Sequence, residues 1–214
     1  MDTRTFKDTI YHEFSRVGKI LASPKRLELL DLLSQSPKSV ETLAGETKMS
    51  IANTSKHLQS LLEARLVLYK KEGIYVIYRL ASPEVTDLLF SLKSVAEERI
   101  TDIGLLHEDF ITKSEEIETL KPEDLAVRKD DYVLIDVRPK EEYLHNHLEG
   151  AISLPMEELN ASINEIPKDM KVIAYCRGPY CVYATEAVEY LKANGFEAAR
   201  LEAGVREGKP HSGK

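Results

Sequence analysis

Apolar residues recur every three or four positions through residues 5–21, where Phe6, Ile10, Phe14, Val17 and Leu21 form one stripe of an amphipathic helix. Ser23-Pro24 supplies an N-cap and a proline at the first helical position, and LELLDLL reads as a buried helix that stops at Ser36-Pro37. Ser39 opens a short helix through Leu43 and Ala44, and Ser50 caps the next, IANTSKHLQSLLEARL. That helix turns Leu58, Leu61 and Leu62 inward and leaves Ala52, Asn53, Lys56, Gln59 and Ser60 outward. The period then changes: in LVLYKKEGIYVIYRL two β-branched and aromatic runs flank Glu72-Gly73, which predicts a β-hairpin.

From Ser82-Pro83 the spacing of Leu89, Leu92, Ala96, Ile103, Leu106 and Phe110 predicts one long helix to about residue 117, weakened locally by Gly104. At 1.5 Å per residue it would be roughly 50 Å long, more than one small domain covers. A homodimer interface built with the first helix is the economical use of such a stripe. Beyond it, residues 121–125 open a short helix and YVLIDVR (132–138) is a strand of the buried kind. A short apolar run at 150–155 precedes another helix, KVIAYC is a third strand, and residues 197–201 are a fourth. Alternating strands and helices predict a parallel α/β sheet, which binds ligands beyond the carboxyl ends of its strands, where Asp136, Arg138 and Cys176 all fall. The expected division is residues 1–118 and 119–214.

Composition adds compartment and partners. With 43% hydrophobic and 30% charged residues among 214, the chain suits two small globular domains and excludes only disorder and membrane spanning. No apolar stretch approaches membrane-helix length and MDTRTFKDTIYHEF lacks a signal-peptide core, so the expected location is the cytoplasm, with no membrane partner. Two cysteines in a reducing compartment do not suggest a permanent staple. The net charge of −7 conceals an asymmetry: residues 16–80 carry eleven Lys and Arg against six Asp and Glu. A basic segment in an acidic chain is the footprint of a phosphate-binding module joined to something else.

The candidate chemistry lies in IAYCRGPYCVYATEAVEYL, residues 173–191, which holds both cysteines five positions apart. An apolar strand runs into Cys176, Arg-Gly-Pro-Tyr is turn chemistry, and Ala184, Ala187, Val188 and Leu191 then follow helical spacing. Turn N–H groups, the helix dipole and Arg177 would favour a thiolate at Cys176. A small buried cysteine at a strand end is the other reading of the spacing.

The N-terminal motifs carry a family likeness. LASPKRLELLDLLSQSPKSVETLAGETKMSIANTSKHLQSLLEARLV resembles the arsenical-repressor (ArsR) type of bacterial regulator over roughly residues 10–95, which implies a winged helix-turn-helix, a homodimer and pseudo-palindromic operator DNA. Short polar and basic side chains on the second helix meet the physical requirement for the major groove: Asn53 and Gln59 to read base edges, Ser55 and Lys56 to hold phosphates. Lys70, Lys71 and Tyr75 on the hairpin would reach the flanking backbone, whereas His57 sits at the inner edge, where packing serves as well as base contact. Relatives that sense metal use a cysteine pair in the preceding helix, where this chain has Val40-Glu41-Thr42-Leu43-Ala44. Asp102, His107 and Glu108 read as solvated helix surface, so neither a metal nor a cofactor is expected.

DVRPKEEYLHNHLEGAISLP and YCRGPYCVYATEAVEYLKANGFEAARLEAG resemble a rhodanese (sulfurtransferase) domain over nearly all of residues 119–207. Asp136, Arg138, Glu142, His147 and Gly150-Ala151 match the family framework, and Cys176 stands at its catalytic position. The resemblance implies that the Cys176 thiolate accepts a sulfane sulfur from thiosulfate or a persulfide and passes it on, with Arg177 attracting an anionic donor and Asp136 and Arg138 bracing the site. Three departures stand out: a cysteine loop one residue shorter than in many single-domain relatives, Pro179 removing an N–H from the cradle, and a C-terminal GVREGKPHSGK without the usual aromatic and final helix. They suit a site that is modified once and holds that state.

The main expectation is therefore a DNA-binding regulator whose second domain senses or transfers reactive sulfur. A sulfurtransferase using the winged helix for dimerisation or targeting, and a regulator with an inert anion-binding module for which arsenate is conceivable, are the alternatives. Cys181 is either a resolving thiol that closes a reversible disulfide with Cys176 or a small residue packed under the loop.

Overall fold

The computed structural model describes residues 1–111, 117–127 and 131–206. Its contacts divide the chain into two compact units, Met1–Arg99 and Ile100–Lys214.

The first unit runs α1 (Thr3–Leu21), α2 (Pro24–Gln35), β1 (Lys38–Ser39), α3 (Val40–Thr47), α4 (Ile51–Glu63), β2 (Val67–Glu72), β3 (Tyr75–Leu80) and α5 (Pro83–Arg99). Caps account for several starts: Asp2 accepts from the Arg4 and Thr5 N–H groups, Ser39 from Thr42 and Ser50 from Asn53. Ser23 makes no such bond, and Pro24 alone marks the start of α2. Leu29, Leu30 and Leu33 of α2 pack with Leu43, Leu58, Leu61, Val67, Tyr78 and Leu89 in one core. Gly73 takes φ +62° at the turn of the expected hairpin. The sheet has a third strand that local patterning does not reveal: β1 pairs antiparallel with β3, Lys38 opposite Tyr78, in the order β1-β3-β2.

The long helix expected from residue 83 to about 117 is two helices. It breaks at Ile100, and α6 (Thr101–Ile111) starts anew with the Ile103 N–H bonded to the Ile100 carbonyl. Thr101 and Asp102, whose side chains compete for backbone groups, sit at the break. Gly104, read as the weak point, lies inside α6. The Phe110 side chain and residues 112–116 fall outside what is described. By its contacts α6 lies in the second unit, whereas the sequence reading grouped residues up to 118 with the first.

The second unit continues with β4 (Thr119–Leu120), α7 (Pro122–Val127), β5 (Tyr132–Asp136), α8 (Lys140–His145), β6 (Ile152–Ser153), α9 (Leu159–Ser162), β7 (Lys171–Tyr175), α10 (Tyr183–Ala193) and β8 (Ala198–Leu201). Five parallel strands lie in the order β4-β8-β7-β5-β6, the short β4 being an addition to the four expected. The sheet is covered on both faces, with Ile135, Ala174, Cys176 and Ala198 in one core and Leu134, Ile173, Tyr175 and Ala199 in the other. Two-sided burial explains why VLI and VIAY read as unbroken apolar runs. β5 ends at Asp136 and β7 at Tyr175, so Arg138 and Cys176 sit just past the carboxyl edge.

Candidate cysteine site and DNA-binding face

Cys176, 1% exposed, leaves β7 directly into a loop that returns to the start of α10 at Tyr183. Gly178, at φ +134°, makes a turn that other residues rarely adopt, and the Cys181 N–H closes it on the Gly178 carbonyl at 3.2 Å. Cys181 precedes the helix, so α10 does not turn its side chain away. The two cysteines are bonded as a disulfide, with Cα atoms 6.1 Å apart, inside the range of about 4.4 to 6.8 Å that such bonds accept.

Tyr175 and Arg177, which flank Cys176 in the chain, belong to a buried ionic network. Arg138 donates from its backbone N and Nε to Asp136 Oδ1, at 3.1 and 2.9 Å, and from Nη2 to Asp136 Oδ2 and the Asn146 carbonyl, both at 2.7 Å. Tyr175 donates its hydroxyl to Asp136 Oδ2 at 2.6 Å and accepts from the Leu148 N–H. Burial opposes the Arg138 charge, but the Asp136 hydrogen bonds and the Asp136 and Glu142 carboxylates outweigh it and raise the pKa. Burial, then the Asp136 charge, raises the Tyr175 pKa, so the phenol is held neutral.

Arg177 Nε and Nη2 lie on the carboxylate of Glu142, with Nη2 to Oε1 at 2.5 Å. Glu142 is fully buried on α8, and Arg138 Nη1 also lies 3.8 Å from its carboxylate. A charge taken out of water needs a close counter-charge, and Arg177 supplies it.

The loop is also held from outside the network. The Pro179 carbonyl accepts from Arg200 Nη2 on β8 and from His107 Nε2 on α6, the latter at 3.2 Å, which places the imidazole proton on Nε2. The His107 ring packs edge-on against Tyr180, centroids 5.5 Å apart. Arg200 is 2% exposed, and burial lowers its pKa against the opposing pull of Glu202. Its Nε has no hydrogen-bond partner among the described residues.

In the first unit, Asn53, Lys56 and Gln59 are exposed on α4 and Ser55 is half-buried. Lys70, Lys71 and Tyr75 are exposed on the hairpin, with Lys70 paired to Glu72 at 3.2 Å. Gln59 Nε2 reaches the Tyr78 hydroxyl at 3.4 Å, and Asn53 lies near the Met49 sulfur. His57 is half-buried; burial first, then the Arg26, Lys56 and Lys25 charges, lower its pKa. No helix among the described residues is long and apolar enough to cross a membrane.

Two family models match the chain: "Bacterial regulatory protein, arsR family" over residues 23–69 and "Rhodanese-like domain" over residues 121–209. The chain is 38% identical over 203 residues to the HTH-type transcriptional regulator Rv0324 of Mycobacterium tuberculosis, covering 94% of this chain and 89% of that one. This chain belongs to the ArsR family of transcriptional regulators. Within the family it carries a C-terminal rhodanese-like domain, and it is a DNA-binding regulator. It is also 30% identical over 133 residues to a tRNA sulfurtransferase of Desulfurococcus amylolyticus, covering 61% of this chain and 26% of that one. A solved homodimeric winged helix-turn-helix domain, Mb0332 of Mycobacterium bovis, is 36% identical with a TM-score of 0.43, covering 47% of this chain and 91% of that one.

In this ArsR-type chain the structure thus brings together Cys176, Cys181, Arg177, Asp136 and Arg138, which the sequence selected, with three residues it passed over. Tyr175 looked like one more apolar strand position. Arg200 carried a readable signal, since a lone arginine in the apolar strand AARL has to be buried with a purpose. His107 read as helix surface because its partner lies 72 residues away.

Proposed function

We propose that the rhodanese-like domain is the sensory half of this regulator and that reactive sulfur is its signal. The observation that carries the reading is the Cys176–Cys181 disulfide at the mouth of the parallel sheet, with 6.1 Å between Cα atoms. In the reduced protein a Cys176 thiolate attacks the outer sulfur of a persulfide, R–S–SH. The R–S⁻ thiolate leaves and Cys176 becomes a persulfide; with thiosulfate the leaving group is sulfite. The Cys181 thiolate then attacks Cys176 Sγ, the disulfide closes, and the outer sulfur departs as HS⁻ with the electron pair of the broken bond. Two thiols are oxidised and the sulfane sulfur is reduced to sulfide, so no further oxidant is needed. Asp136 and Arg138 act as the brace of the site and Arg177 as the counter-ion of Glu142. Pro179 and the short ring favour a device that stores its state over one that turns over.

The output half reads DNA with Asn53 and Gln59 at base edges, Ser55 and Lys56 at phosphates, and Lys70, Lys71 and Tyr75 on the flanking backbone. The protein acts in the cytoplasm as a homodimer on a two-fold operator, with the first unit as the DNA-binding and dimerisation part and the second as the sulfur-sensing part. The dimer is supported by α1, which buries no residue and leaves Phe6 and Phe14 50% and 65% exposed, and by exposed Leu92 and Val95 on α5.

The test is intact mass of the reduced protein after treatment with glutathione persulfide or thiosulfate. The wild type should lose its two thiol hydrogens, Cys181→Ser should gain and keep one sulfur atom, and Cys176→Ser should do neither. If the wild type never crosslinks and Cys181→Ser responds to donor as the parent does, the resolving role of Cys181 fails and a single-thiol persulfide remains.

A further inference from the structure

We propose that His107 is the residue through which the state of the cysteine loop reaches α6, and through the α6–α5 connection reaches DNA binding. This rests on the reading of Cys176 and Cys181 as the sensing pair, and it names the regulatory contact of that pair.

Both loop atoms that His107 touches lie inside the ring the disulfide closes: the Pro179 carbonyl, and the Tyr180 ring. The two ends of that ring are unequal in freedom. Cys176 is buried at the end of β7, whereas Cys181 lies in a half-buried turn ahead of α10. The outer sulfur of a Cys176 persulfide takes the bonding position on Sγ that Cys181 Sγ holds in the disulfide, so both cannot occupy it. Movement on opening therefore falls on the Cys181 end, which carries Tyr180 and Pro179. Arg200, anchored in β8 and buried, holds the same carbonyl from the sheet side. His107 holds it from a helix with much less anchorage: none of the described side chains of α6 is buried, and Ile103 and His107 are its half-buried pair one turn apart.

Closing the ring thus presents Pro179 and Tyr180 to His107 in one fixed arrangement, and opening withdraws it. α6 follows α5 after the single residue Ile100, so a helix docked or released at His107 constrains or frees the end of α5. Coupling of this kind needs an element with two arrangements that both sites bias, and the 176–181 ring is that element.

The full-length protein tests this with two readouts on each variant: disulfide formation after glutathione persulfide, by intact mass, and the ratio of DNA affinities before and after treatment. The DNA is a duplex selected from a randomised pool by whichever wild-type form binds. His107→Ala should close the disulfide as the wild type does, while its affinity ratio falls to near one; His107→Gln, which keeps an N–H donor, should restore much of the ratio. A His107→Ala protein that crosslinks and keeps the wild-type ratio overturns the proposal. Should His107→Ala fail to fold, Tyr180→Ala decides, because it removes the other side of the contact at a residue 44% exposed; a wild-type ratio there overturns it equally. Failure of the sensor reading shows earlier and separately, as a wild type that neither crosslinks nor changes its DNA affinity.

Discussion

Arg177 and Glu142 stand as a close ion pair, Nη2 to Oε1 2.5 Å, with the carboxylate fully buried and the guanidinium 16% exposed. Arg177, next to Cys176 in the chain, therefore has a structural partner in the Glu142 carboxylate. Arg177→Ala leaves a buried carboxylate short of its counter-ion and should destabilise the second unit by roughly 3 kcal/mol. Hydrogen exchange of the β5 and β7 amides reads that unit alone. Unchanged exchange, together with loss of sulfur uptake from thiosulfate but not from glutathione persulfide, would instead make Arg177 a donor-binding residue.

On the proposed DNA face of α4, two kinds of contact are distinguished by substitution. Lys56→Ala should weaken binding to all duplexes and make the salt dependence of log K shallower by about one unit. Asn53→Ala should weaken binding and relax sequence preference, with a cost of about 1 to 3 kcal/mol at the position it reads. Fluorescence anisotropy over a salt series on selected and scrambled duplexes checks both; unchanged affinity in both variants would reject this face of α4.

Tyr175 sets an alkaline limit on the second unit. Its folded pKa is raised, by burial and then by Asp136, so the folded state keeps a proton that the unfolded chain gives up. The stability this contributes is fully present below an unfolded tyrosine pKa of about 10 and is lost as pH rises above it. Tyr175→Phe removes two hydrogen bonds, from Leu148 N–H and to Asp136, and should cost roughly 1 to 3 kcal/mol at neutral pH. It should also flatten the decline above about pH 10. Urea unfolding at a series of pH values checks the sign: equal alkaline slopes in both proteins would mean that Tyr175 is not the group responsible.

Much of the architecture is legible locally, because helix caps, apolar periods and turn residues act within a few positions. Ser39, Ser50 and Pro24 mark starts, the stripe of α4 separates Leu58 and Leu61 from Asn53 and Lys56, and the turn at Gly73 makes the hairpin. VLI and VIAY, apolar throughout, announce a sheet covered on both faces, and the likeness around Cys176 marks the candidate site. What local pattern does not hold is which distant residue answers a given need. The pairing of Lys38 with Tyr78, the choice of Arg177 for Glu142, and the meeting of His107 with Pro179 are settled when the chain closes on itself. Each supplies a charge or backbone group with a partner that only tertiary packing brings near. The break at Ile100 belongs with them: a heptad-like spacing continues through it, yet α6 packs within the second unit. The spacing of two cysteines, likewise, permits a ring or two separate thiols; only a loop that turns at Gly178 and ends before α10 brings their sulfurs together.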